Sequence, residues 1–182
     1  PTLEGVNETV FYTYGDSNWK DKVTAIGGKA ITYDAIGNPL TYDGWTFTWK
    51  AGRMLASMVK TGTNAQFTYD HNGLRIKKVV NGVTTDYTLN GKNVVHMTQG
   101  SHDLHFFYDA QGKPGMVTYN DVDYFYVYNL QGDVVALIDA NGTQVVEYVY
   151  DAWGNPISKS GSMVATLGTE NLFRYREYVY DE

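Results

Sequence analysis

The sequence contains no cysteine and only 4 prolines, and charged residues make up 19% of it, below the roughly 25% of an ordinary soluble domain. Without cysteine there is no disulfide scaffold, no thiolate-held zinc or iron–sulfur site and no thiol nucleophile. The same absence suits the cytosol and an exported bacterial protein alike, so it leaves the compartment open. No run of about 18 apolar residues occurs, which excludes a membrane-spanning helix. The start, Pro1-Thr2-Leu3-Glu4, has neither a basic region nor an apolar stretch and carries no export signal of its own. Beginning at Pro rather than Met, the chain is expected to be an internal piece of a longer polypeptide. Lysine and arginine number 14 against 20 aspartates and glutamates, a formal charge of −6, and that field repels phosphate backbones. Neither a nucleic acid nor a membrane is expected as a partner.

What is abundant is aromatic surface, with 16 Tyr, 7 Phe and 4 Trp in 182 residues. That is enough to offset the entropy of ordering one sizeable domain. The aromatics also repeat. A large apolar residue, one spacer and a second large apolar residue recur as Tyr12-Thr13-Tyr14, Ile31-Thr32-Tyr33, Phe47-Thr48-Trp49, Phe67-Thr68-Tyr69, Tyr87-Thr88-Leu89, Phe106-Phe107-Tyr108, Tyr126-Val127-Tyr128, Tyr148-Val149-Tyr150 and Tyr178-Val179-Tyr180. The steps between them are 19, 16, 20, 20, 19, 20, 22 and 30 residues. Period 2 inside each triplet points both large side chains to one face of a strand and leaves Thr or Val on the other.

Turn residues follow the triplets: Asp34-Ala35-Ile36-Gly37, Asp70-His71-Asn72-Gly73, Asp109-Ala110-Gln111-Gly112, Asn129-Leu130-Gln131-Gly132 and Asp151-Ala152-Trp153-Gly154. Asp or Asn at the first position bonds the backbone two residues on and Gly at the fourth accepts positive φ, which specifies a type I turn with a glycine bulge. Breakers at Asp43-Gly44, Thr61-Gly62, Asn81-Gly82, Gln99-Gly100 and Asp139-Ala140-Asn141-Gly142 close the opposite ends. The pattern predicts an all-β fold, a continuous antiparallel hairpin meander of about nine strand pairs whose long sheet twists and curls. Only Ser158 to Asn171 breaks the rhythm, and it reads as a loop with one helical turn at Met163 to Leu167. The expected organisation is a repeat array over residues 1–157 followed by residues 158–182 in the same structural unit.

The dipeptides Tyr33-Asp34, Tyr42-Asp43, Tyr69-Asp70, Tyr108-Asp109, Tyr150-Asp151 and Tyr180-Asp181 resemble the Rhs/YD-repeat family. The run from Tyr128 through Asp133 to Gly142, continuing through Tyr148-Val149-Tyr150-Asp151-Ala152-Trp153-Gly154-Asn155-Pro156, resembles the opening of the Rhs repeat-associated core. Asn171-Leu172-Phe173-Arg174-Tyr175-Arg176-Glu177-Tyr178 resembles the Asn-Pro-Phe-Arg-Tyr-Arg-Gly-Tyr segment of that core, departing from it at Leu172 and Glu177. The resemblance implies a spiral β-sheet forming part of a hollow shell that encloses a C-terminal toxin domain in secreted or cell-wall-associated bacterial polypeptides. Related repeats occur in animal cell-surface adhesion proteins. The family's self-cleavage region and toxin lie beyond the matched residues. The implied partners are the remaining Rhs repeats and the toxin domain of the same polypeptide, with self-association through open sheet edges.

Other chemistry is weaker. His96, His102 and His105 cluster with Asp103 and Asp109 nearby, but the spacing matches no standard zinc pattern, so ordinary strand and turn histidines are expected. Asp34, Asp70, Asp109, Asp139 and Asp151 recur at one turn position, which spreads them along a sheet rim instead of pairing two across a cleft for glycoside hydrolysis. No EF-hand or tandem calcium repeat is present. No Gly-x-Ser-x-Gly elbow occurs, and Gly27-Gly28-Lys29 follows no Walker pattern. The expectation is therefore no enzyme, with no catalytic, cofactor-binding or metal residues and no cofactor. Aromatics on a sheet face that stack on sugars provide the alternative, a carbohydrate-binding or cell-surface adhesion module with a glycan partner.

Overall fold

The computed structural model describes residues 9–180. It is all-β, with sixteen strands following one another in chain order as an unclosed antiparallel meander. The chain divides after Thr84 into two compact units. The first holds β1 (Tyr12–Thr13), β2 (Ala25–Ile26), β3 (Lys29–Tyr33), β4 (Pro39–Tyr42), β5 (Trp45–Lys50), β6 (Met54–Lys60), β7 (Thr63–Tyr69) and β8 (Arg75–Val80). The division falls within β9 (Val83–Asn90), most of which belongs to the second unit, with β10 (Asn93–Gln99), β11 (His102–Tyr108), β12 (Pro114–Tyr119), β13 (Val122–Tyr128), β14 (Val134–Ile138), β15 (Gln144–Tyr150) and β16 (Pro156–Ser160). One helical turn, α1 (Leu167–Glu170), and a tail containing a 3₁₀ turn at Tyr175–Glu177 complete that unit.

The triplets sit on strands with the alternation their period dictates. In β7, β11 and β13 the residue two before the triplet and the triplet's first aromatic are buried, as with Ala65 and Phe67, Leu104 and Phe106, and Tyr124 and Tyr126, and the spacers between them are exposed. The opposite face holds polar pairs in the first unit. Thr32 and Thr41, and Thr48 and Ser57, meet across paired strands with hydroxyl oxygens 2.6 Å apart. Cross-strand hydroxyl pairs of this kind are a usual source of sheet register.

In six triplets the last residue is half-buried and reaches for a backbone carbonyl. The Tyr69 hydroxyl donates to the Leu55 carbonyl at 2.9 Å, Tyr108 to Val94 at 2.6 Å and Tyr150 to Val134 at 2.8 Å. Tyr33 and Tyr128 do the same to Val23 and Pro114, and the Trp49 indole N–H donates to the Pro39 carbonyl. The ladder register shifts immediately before these residues, between Thr68 and Tyr69, Phe107 and Tyr108, and Val149 and Tyr150. This is the bulge that turn residues such as Gly73 (φ 80°) produce.

The core is concentrated in the second unit, where Leu104, Val117, Val134, Leu137 and Val146 are fully buried with Phe106, Tyr126 and Tyr148. Residues 161–180 supply its second layer. Phe173 meets Phe106, Tyr108 and Tyr126 edge-on at 5.3, 5.9 and 6.2 Å between ring centroids, a favoured aromatic geometry. In the first unit only Ala65 and Phe67 are buried apolar residues among those described. Trp45, Phe47, Trp49 and Met58 stay half-buried there.

Several expectations need correction. The first triplet lies on a two-residue strand, with Tyr12 and Tyr14 more than half exposed. The last triplet, Tyr178-Val179-Tyr180, makes only an isolated bridge from Val179 to Phe173. The described strands number sixteen, eight pairs where about nine were expected. Ser158 to Ser160 extend β16 instead of beginning a loop, and the helix starts at Leu167, where the expected turn was to end. An apolar strand pattern sets the face a residue shows, but burial requires a neighbour the chain segment itself does not encode. Asp181 of the last Tyr-Asp dipeptide and the Pro1–Glu4 start lie outside the described residues.

Removing one ladder hydroxyl, as in Tyr69→Phe or Tyr150→Phe, is expected to cost about 1 kcal/mol by chemical denaturation, the net worth of a typical hydrogen bond. Burial pushes the Tyr108 phenol up to about 12. Its contribution to stability is complete below the unfolded value near 10 and is lost as pH rises through the folded value. Denaturation midpoints followed from about pH 9 upward should fall more steeply in the native protein than in Tyr108→Phe.

Candidate functional site

The rim of the sheet carries the recurring carboxylates. In each turn one side-chain oxygen accepts two backbone N–H groups: Asp34 from Ile36 and Asn38, Asp70 from Asn72 and Leu74, and Asp109 from Gln111 and Lys113. Asp139 and Asp151 repeat the arrangement with Asn141 and Thr143, and with Trp153 and Asn155. Hydrogen bonds to the charged form favour it. The Leu74 amide holds the Asp70 carboxyl below its ordinary range, the Thr143 amide does so for Asp139, and the Asn155 side chain and amide do so for Asp151. Carboxylates so used bond their own turns, each on a separate hairpin. A general acid needs the opposite shift.

The second feature is the covered aromatic face of the second unit. Asn171, Leu172, Phe173 and Arg174 are all buried, and several of their polar atoms bond either the sheet or the segment itself. The Tyr126 hydroxyl donates to Asn171 Oδ1 at 2.6 Å, and Asn171 Nδ2 donates to the Phe173 carbonyl at 2.6 Å. Tyr148 donates to the Gly168 carbonyl at 2.9 Å, and the Val134 amide to the Arg174 carbonyl at 3.0 Å. The Arg174 guanidinium lies over the Tyr180 ring at 4.0 Å and donates to the Thr169 carbonyl at 2.9 Å. Burial pushes the Tyr126 phenol well up, so it remains a neutral donor. Sequence reasoning singled out residues 171–178 as a motif but did not give Asn171 and Arg174 these roles. The available signal was their position at the end of the irregular segment, just before the last aromatic triplet.

The sequence cluster of histidines splits in two. His102 Nδ1 lies 2.6 Å from Glu170 Oε1, tying β11 to α1. Burial raises the Glu170 carboxyl and His102 draws it partly back, leaving it above the ordinary range. His96 and His105 face each other across β10 and β11 and share Asp103, whereas Asp109 closes the next turn. Hydrogen bonding by His96 holds the Asp103 carboxyl low.

A single-chain antiparallel meander with recurring Tyr-Asp turns and an Arg-containing tail laid on the aromatic face of its second unit defines a YD-repeat shell domain. The teneurin YD-shell family matches residues 6–171, and the chain belongs to that family. It is 34% identical over 98% of its length to the tRNA3(Ser)-specific nuclease WapA of Bacillus spizizenii, and equally to the tRNA nuclease WapA of Bacillus subtilis. The chain spans 8% of the length of each of those relatives. Among solved structures it is similar to the Tc holotoxin pore of Photorhabdus luminescens, with a TM-score of 0.58 at 15% identity over 94% of this chain and 11% of that one. The TcdB2-TccC3-Cdc42 complex is similar at TM-score 0.59, 13% identity and the same coverage. Both share the fold. Among the described residues no helix is long and apolar enough to cross a membrane.

Glu170 gives a signed prediction. A carboxyl whose folded value is raised favours folding when protonated, and this contribution is lost as pH rises through the folded value. Glu170→Gln keeps an acceptor for His102 and removes the buried charge. It should raise the melting temperature at pH 7, with the gap closing by about pH 4, as thermal unfolding at the two pH values would report.

Proposed function

We propose that this chain is a non-catalytic wall segment of a β-shell, which in a longer polypeptide encloses a C-terminal toxin domain and keeps it from acting until delivery. The observation carrying the reading is the consumption of the repeat's reactive groups by its own architecture. Every turn carboxylate described above bonds its own backbone, and ladder tyrosines donate to carbonyls of neighbouring hairpins. Catalytic sites ordinarily break such local consistency. The nuclease names of the WapA relatives, set against the 8% of their length that this chain spans, support an activity residing elsewhere in such polypeptides.

The half-buried aromatic face around Trp45, Phe47 and Trp49 suits the lining of a container, because a single-layer sheet leaves one apolar face to be met by something else. In this reading residues 1–157 are the repeat array and residues 158–182 begin the core that closes it, within one structural unit. The partners are further repeats and the enclosed domain of the same polypeptide, with edge strands prone to pair with other chains. The location is secreted or attached to the cell wall.

The test uses the intact polypeptide that carries this segment. Its C-terminal domain should resist protease and stay inactive on its substrate, and Phe173→Ala or Arg174→Ala should release both protections while residues 1–182 alone show neither nuclease activity nor toxicity. Activity from residues 1–182 alone, or a C-terminal domain equally accessible with and without the substitutions, would overturn the container. Saturable glycan binding lost on Trp153→Ala, whose indole is 87% exposed, would favour the adhesion alternative.

A further inference from the structure

We propose that His96, Asp103 and His105 form a surface site for a borderline divalent cation such as zinc, a binding function independent of the container reading. The three side chains project from the face of β10 and β11 opposite the core, since their strand neighbours Met97, Leu104 and Phe106 are buried. His96 lies directly across from His105 in the ladder, and Asp103 is two residues from His105 on the same face. The backbone register thus brings the three together, and Asp103 is further fixed by reciprocal bonds with Asn120. Its amide donates to Asn120 Oδ1 at 2.8 Å, and its carbonyl accepts from the Asn120 amide at 2.9 Å.

Both imidazoles present Nε2 to the one carboxylate, His96 at 2.9 Å from Oδ2 and His105 at 2.9 Å from Oδ1. The rings stack with centroids 4.3 Å apart and planes 22° apart. One ligand atom from each residue can be chosen so that all lie within 4.8 Å of one another. Tetrahedral ligands about 2.0–2.2 Å from zinc stand somewhat over 3 Å apart, so small side-chain rotations convert the hydrogen-bonded triad into a ligand set. The carboxylate only accepts, so each Nε2 carries a proton in the metal-free form. On binding, those two protons leave to solvent and the cation takes their place between the same atoms.

Two imidazoles with one carboxylate select zinc, nickel, cobalt or copper over calcium and magnesium, which prefer all-oxygen shells. Exposures of 30%, 48% and 50% for the His96, Asp103 and His105 side chains leave the site open to solvent. Three protein ligands also leave a coordination position for water or a small anion. His102, only one residue from Asp103, is excluded because its Nδ1 is engaged by Glu170.

Calorimetric titration of the whole chain with zinc chloride in a non-coordinating buffer should show one saturable site. His96→Ala, His105→Ala and Asp103→Asn should each weaken it at least tenfold, while His102→Ala keeps it within about twofold, with circular dichroism confirming that each variant is folded. Titration with cobalt should give a visible absorption band that disappears in the same three variants, and His96→Gln provides a milder change for the case in which alanine perturbs the hairpin. No saturable binding, binding that survives both His96→Ala and His105→Ala, or loss caused equally by His102→Ala would overturn the site.

Discussion

The structure depends on a division of labour inside one dipeptide. In Tyr-Asp the two side chains leave the strand end in different directions, so the phenol reaches across to a carbonyl of another hairpin while the carboxylate turns back to cap the loop that follows. Tyr108 and Asp109 do both within a single strand end, through Val94 on one side and Gln111 and Lys113 on the other. Neither bond is large by itself, about 1 kcal/mol net for a neutral pair and somewhat more for a charged acceptor. Their value is positional. The capped turn fixes the register of its own hairpin, the phenol joins that hairpin to the chain before it, and repetition of the pair builds a sheet from contacts between consecutive elements.

That logic accounts for what could be read from the sequence. The step of about 19 residues, the face each aromatic takes and the turn with its glycine bulge all arise from interactions within roughly one repeat. Even the meeting of His96 with His105 was legible in principle, because a tight turn at Gly100 and Ser101 pairs Gln99 with His102 and so fixes the partners beyond them. The turn at Asn120 and Asp121 carries no glycine, yet both residues take positive φ, 46° and 65°, as Asn and Asp tolerate better than other side chains.

What local pattern could not show was depth. Tyr126 and Tyr12 occupy equivalent triplet positions, yet the first is buried beneath Asn171 and Phe173 and the second is 57% exposed. The difference comes from residues 161–180 of the second unit, which cross its sheet far from their sequence neighbours. Burial of Asn171 and Arg174 follows from the same crossing, and nothing in their immediate sequence separates them from surface residues. Their hydrogen bonds to Tyr126, Phe173 and Thr169 answer the desolvation that would otherwise oppose it.

A one-layer antiparallel sheet must reconcile two faces, and here they are resolved differently. The spacer face is mixed: Thr–Thr and Thr–Ser pairs lie on it in the first unit, and the His96–Asp103–His105 group shares it with exposed Phe107, Phe125 and Val149 in the second. The aromatic face cannot be left to water without losing the hydrophobic term that stabilises such folds. In the second unit the tail supplies the missing layer, and Phe173 is the residue that seals it, touching three rings from two strands at once. In the first unit cationic side chains do part of that work: the Lys50 ammonium lies over the Tyr69 ring at 5.3 Å and the Lys60 ammonium over the Trp45 ring at 5.7 Å. Such cover is thin and easily displaced by a better apolar surface, whereas a layer held by Asn171 and Arg174 is not. The same repeat thus yields a face open to a partner in one unit and a face already closed in the other.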